Sequence, residues 1–111
     1  QYGPTHLFAD LAPRRNTTGL VLLLEGCAAL AMMLGYECRA TRLCAAASAV
    51  RERERVPFYF PVEHSRVRAT IAQARLNLEP AEFEQQWNAG CALSLEAAVA
   101  EALELTTLVT V

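Results

Sequence analysis

The sequence predicts an all-α chain of about five helices, and three observations carry that prediction. Apolar residues make up 53% of the 111 residues and aromatics only 7%. The apolar share is mostly alanine and leucine, which favour helices, rather than valine, isoleucine and tyrosine, which favour strands. Apolar residues recur at spacings of three and four, the period of a helix with one buried face, and glycines and prolines punctuate the periodic segments. A chain of this length buries one modest core. A single domain over residues 1–105 with a tail at 106–111 is therefore expected.

The first strongly periodic segment follows Asn16, Thr17 and Thr18, each able to cap a helix start. Leu20, Leu23, Leu24, Cys27, Leu30, Ala31 and Leu34 then fall on one face, and Gly35 stands where a left-handed C-terminal cap belongs. Tyr2 to Leu11 reads as the end of a preceding helix. The second helix runs from about Glu37 to Arg55, with Ala40, Leu43, Ala47 and Val50 inward and Arg39, Arg42, Arg51 and Arg53 mostly off that face. Gly26 and Ala29 opposite Ala40, Ala46 or Ala47 suit a tight antiparallel hairpin, because small residues let two helix axes approach. The alternating run Arg51 to Arg55 reads as a solvated helix end with internal ion pairs.

Val56-Pro57-Phe58-Tyr59-Phe60-Pro61 is expected to be non-helical, since its two prolines remove backbone donors and disfavour helix before each of them. A third helix follows from about Val62 to Leu78, with Val67, Ile71, Ala74 and Leu78 inward and Arg66, Gln73 and Asn77 outward. Pro80 starts a short fourth helix, on which Phe83 and Trp87 at i and i+4 are structural anchors and Gly90 is the stop. Ser94 is the N-cap of a fifth, with Leu95, Ala98, Val99, Ala102 and Leu103 as its apolar stripe. Ala97 stands where a capping box would need Glu or Gln.

Charge and cysteine usage narrow the function classes. A net charge of -2 and a pI near 5.7 supply no field toward phosphate backbones or anionic lipid, so neither nucleic acid nor membrane is an expected partner. The apolar stretches Leu20–Leu24 and Cys27–Leu34, split by Glu25 and Gly26, together span about 15 residues, short of the roughly 20 that cross a bilayer. No secretory signal is recognisable, and a cytoplasmic location is expected. All ten basic residues are arginine, which with the abundant alanine suggests a GC-rich bacterial coding sequence. Cys27, Cys38, Cys44 and Cys91 form no C-x-x-C pair and have no neighbouring histidine, so they read as buried free thiols in a reducing compartment, with a Cys27 to Cys38 disulfide across a helical hairpin conceivable. His6 and His64 lie far apart, no Ser-His-Asp or Cys-His arrangement is recognisable, and Glu82, Glu84, Glu101 and Glu104 read as solvated helix faces. No catalytic, cofactor-binding or metal-ligating residue is assigned.

The residue order adds to the periodicity. Gly35-x-x-x-Arg39-Ala40-x-Arg42-Leu43-x-x-Ala46-Ala47-x-x-x-Arg51-Glu52, then Ala74-Arg75-x-x-Leu78, then Phe83-x-x-x-Trp87-x-x-Gly90-x-x-Leu93-Ser94-Leu95-Glu96-x-Ala98-Val99-x-x-Ala102-Leu103 resembles the C-terminal helical repeat region of large bacterial signalling ATPases, the LuxR-type transcriptional regulators of maltose-regulator-like build. The resemblance implies a right-handed superhelical array of tetratricopeptide-like hairpins that forms part of a larger protein and binds protein. It has no P-loop for phosphates and no recognition helix of its own. The implied partner is the rest of the regulator or a second copy of this chain. The interface residues expected on the apolar N-terminal region and on the second apolar face of the long helix are Leu7, Phe8, Leu11, Val21, Leu22, Met32 and Met33. The alternative is a small-ligand-sensing domain, or an accessory domain of an adenylate-cyclase-type enzyme, in which Phe58, Tyr59, Phe60 and Trp87 surround a ligand with His64 and an arginine as polar groups.

Overall fold

The computed structural model describes the backbone of residues 4–110 and the side chains of residues 17–108. It is all-α: α1 (Pro4–Met33), α2 (Glu37–Glu54), α3 (Pro61–Asn77), α4 (Pro80–Cys91) and α5 (Leu95–Thr110), with no strand among the described residues.

The punctuation works largely as the residue types dictate. Gly35 has φ +88, and the Tyr36 N–H donates to the Ala31 carbonyl at 2.9 Å while the Gly35 N–H donates to Met32 at 3.2 Å. This is the paired closure that a left-handed C-terminal residue permits. α3 and α4 each begin with proline, Pro61 and Pro80, whose missing N–H costs nothing in a first turn. The Ser94 hydroxyl accepts from the Ala97 N–H at 3.1 Å, so Ser94 is the N-cap of α5.

Four boundary expectations are corrected. α1 starts at Pro4 and runs unbroken through Asn16, Thr17 and Thr18, so these residues cap nothing and Pro4 to Leu11 belongs to the same helix. Gly90 does not end α4; it lies inside the helix and is buried. Pro61 is the first residue of α3 rather than the last of the loop, and residues 106–110 continue α5 instead of leaving it.

α2 is the centre of the molecule. Ala40, Leu43, Ala47 and Val50 are buried as expected, and so are Thr41, Cys44, Ala45, Ala46 and Arg51, because α1, α3, α4 and α5 all pack on this helix. α3 and α4 touch each other only lightly and both lean on α2, so the second pair is not a close hairpin. Across α1 and α2 the seam is built from Val21, Leu24, Ala28 and Ala31 rather than from Gly26 and Ala29. Gly26 faces open space. Of the expected α1 stripe, Leu24 and Ala31 are buried, whereas Leu23, Leu30 and Leu34 are exposed. On α5, Leu105 takes the core position and Leu103 points outward.

Candidate functional site

The densest polar cluster joins three elements around Arg51, which is buried rather than solvated. Its Nε donates to Glu25 Oε2 at 2.6 Å and its Nη2 to Glu25 Oε1 at 2.8 Å, the two-pronged match of guanidinium to carboxylate. Nη1 donates to the carbonyls of Pro57 at 2.6 Å and Val56 at 3.2 Å. The guanidinium also lies 3.8 Å over the Phe58 ring, and Phe58 stacks on His64 at 4.7 Å. Glu63 Oε1, a buried acceptor, is 3.9 Å from Nη2. Four of the five guanidinium N–H groups are thus spent within the chain. The arginine pins the α2–α3 loop and α1 to the end of α2. Beside it lies a cavity of about 440 Å³ lined by Cys44, Ser48, Phe58, His64, Val67 and Ile71 among others.

Of the residues the small-ligand alternative would gather, Phe58, His64 and an arginine do meet here. Tyr59 and Phe60 are exposed, and Trp87 is on α4, stacked on Phe83 at 5.8 Å. Phe83 is buried, Trp87 is half-buried against the main core, and Arg75 covers the Phe83 ring at 4.4 Å. Both aromatics therefore pack α4 against its neighbours. Two of the four glutamates expected on solvated helix faces are partners of arginine: Glu101 accepts from Arg42 Nε at 2.9 Å and Glu104 from Arg39 Nη1 at 3.1 Å, which ties α5 to α2, while Glu82 accepts from Gln86 Nε2 at 2.8 Å. Among the described residues, no group of three or more His, Cys, Asp or Glu side chains is placed to hold a metal ion.

All four cysteines are free. Burial pushes the Cys44 thiol up to about 12, with the Glu25 carboxylate adding to the rise. It is protonated and a poor nucleophile at neutral pH. Cys91 is exposed, against the expectation of a buried thiol.

The remaining feature is the outer face of α1. Between Thr17 and Leu34 the only charged residue is Glu25, and it is turned into the core toward Arg51. On the solvent side stand Leu22 at 41% exposure, Leu23 at 41%, Leu30 at 38%, Leu34 at 46% and Met33 at 82%, with the open positions Gly19 and Gly26 between them. At about 100° per residue these seven share one arc, on the order of 120° wide. Charge inside and leucine outside inverts the usual arrangement of a helix on a protein surface.

The structure divides the expected interface residues. Leu22 and Met33 lie on this face, Met32 is half-buried against the small cluster of Ala31, Ala40 and Leu105, and Val21 is wholly buried. The side chains of Leu7, Phe8 and Leu11 lie outside the described residues. Leu23, Leu30 and Leu34 were missed because a spacing of three and four shows that residues share a face without showing which of two apolar faces turns inward. The position of Glu25 held the signal: a charge needing a buried arginine partner sits beside Val21 and Leu24, not beside Leu23.

A comparison with protein-family models, curated proteins and solved structures finds none that matches the chain.

Proposed function

We propose that this chain is a non-catalytic, protein-binding helical module and that the outer face of α1 is its binding surface. The observation that carries this reading is the inversion on α1: five large apolar side chains face solvent while the one charge of the segment is buried. An exposed apolar strip of this kind marks a contact surface, since leaving it in water costs about 25 cal/mol for each Å². The setting favoured by the residue order is a tetratricopeptide-like region of a bacterial LuxR-type regulator or related signalling ATPase in the cytoplasm. In that setting the module contacts protein, and neither nucleic acid nor lipid. No helix among the described residues is long and apolar enough to cross a membrane.

Against the small-ligand alternative stands the state of Arg51, whose donors are spent on Glu25 and two carbonyls. A Leu23→Glu, Leu30→Glu double variant tests the proposal. At a concentration below that of any self-association, its melting midpoint should match that of the parent while the fluorescence of an apolar dye bound to the protein falls. A variant that unfolds would place these leucines in the core and remove the surface. Saturable heat on titration with nucleotides or sugars would favour the ligand reading instead.

A further inference from the structure

The same face has a finer pattern that names its occupant, provided that the face is the protein-binding surface proposed above. Gly19, Leu23, Gly26, Leu30 and Met33 are separated by four, three, four and three residues, the alternation that keeps a seam facing a second helix. Along the first four, a glycine alternates with a leucine. A Cβ built on Gly19 or on Gly26 meets nothing within 4 Å, so neither glycine is needed for packing inside the chain, and neither has a positive φ. Glycine inside a helix is unfavourable. Among the described residues, nothing compensates for these two.

We infer that the outer face of α1 is closed by α1 of a second copy of this chain, running antiparallel about a two-fold axis between Leu24 and Glu25. One axis satisfies the whole seam. It sets Leu23 against the partner's Gly26 and Leu30 against the partner's Gly19, and by symmetry the reverse, so that both leucines of the seam enter glycine notches. A parallel pair would instead set leucine on leucine and notch on notch, leaving voids. The antiparallel arrangement also places the positive end of each helix near the negative end of the other, and no like charges meet across the seam, since the face carries none. The exposed leucines and methionine present on the order of 500 Å² per chain, and doubling this across the axis gives about 1,000 Å², the lower edge of a specific interface. The contact is isologous and closes at two copies.

Sedimentation equilibrium of the full chain from micromolar to millimolar concentration, with circular dichroism to confirm folding, tests this. The parent should dimerise. Gly26→Leu adds apolar surface to the same face, and it has room to do so within one chain. If the notch receives the partner's Leu23, this variant should nevertheless weaken association by about ten-fold or more, because overfilling a packed seam forces the helices apart. Gly19→Leu carries the same expectation should Gly26→Leu fold poorly. Association of both variants as tight as that of the parent, or tighter, would overturn the glycine-notch dimer. A parent that stays monomeric throughout would overturn it too. In that case the dye experiment on Leu23→Glu, Leu30→Glu still decides separately whether the face is an open apolar surface, and the occupant would be a different chain.

Discussion

Gly90 and Gly26 are both glycines inside helices, and their surroundings give the same substitution opposite signs. A methyl group on Gly90 would be driven into the Arg42 carbonyl oxygen and within 2.8 Å of Arg42 Cα and Ala45 Cβ, and backbone of α2 cannot move aside as a flexible side chain does. A methyl on Gly26 meets nothing. Alanine is favoured over glycine in a helix by about 1 kcal/mol, whereas overpacking a tight contact costs about 1–3 kcal/mol or more. In the monomer, Gly26→Ala should therefore raise the denaturant midpoint and Gly90→Ala should lower it, as measured by urea unfolding of each variant at a concentration below that of self-association. Equal gains from both would mean that α4 does not press on α2 through Gly90.

At the scale of the element, α4 is a short helix held by one side. Twelve residues are marginal as an isolated helix, so its order depends on what Phe83, Trp87 and Gly90 pack against. Phe83 is buried beneath Arg75 and Trp87 is half-buried. Removing a fully buried aromatic costs about 3–5 kcal/mol, which is a large fraction of the roughly 5–15 kcal/mol typical of a domain. Phe83→Ala is expected to lower stability by an amount in that range and Trp87→Ala by less, since part of the indole already meets water. Thermal melts of the two variants check the order. The reverse order would make the indole the main anchor. α5 shows the opposite case, an element secured at several points: the Ser94 cap, the arginine pairs to Glu101 and Glu104, and Leu105 in the core.

For the whole molecule, the Glu25–Arg51 pair decides how α1, α2 and the loop to α3 sit together. Both groups are buried, and removing one member of such a pair strands the other, at a cost of about 3–5 kcal/mol. Arg51→Met leaves Glu25 without a cation; Glu25→Leu leaves Arg51 with two carbonyls, the Phe58 ring and the Glu63 carboxylate at 3.9 Å. The double variant strands neither, so its loss of stability should be well below the sum of the single losses, a coupling that urea denaturation of the four proteins measures. Additive losses would show that the pair contributes little beyond its separate contacts. Because Arg51 also holds Val56 and Pro57, Arg51→Met should in addition speed proteolysis in the α2–α3 loop.

Composition, period and punctuation determined the all-α class, the five helices, the left-handed Gly35 and the Ser94 cap, because each depends on interactions within a few residues along the chain. On α2 the four expected residues are buried, but so are Thr41, Cys44, Ala45, Ala46 and Arg51, since that helix is covered on several sides; the inward face of α3 was legible, with Ala74 buried and Val67, Ile71 and Leu78 half-buried. α1 was not, since it is apolar all round between Thr17 and Leu34, and a pattern with two equivalent faces does not say which is covered. Only the tertiary structure chose Val21, Leu24, Ala28 and Ala31, because Arg51 lies 26 residues away in the sequence and its carboxylate partner had to turn inward to meet it. The same limit hid the role of Gly90, whose reason is the backbone of α2 and not the end of its own helix. Capping, period and proline chemistry are local and can be read from neighbours in the chain, whereas close approach and charge pairing depend on groups brought together from a distance.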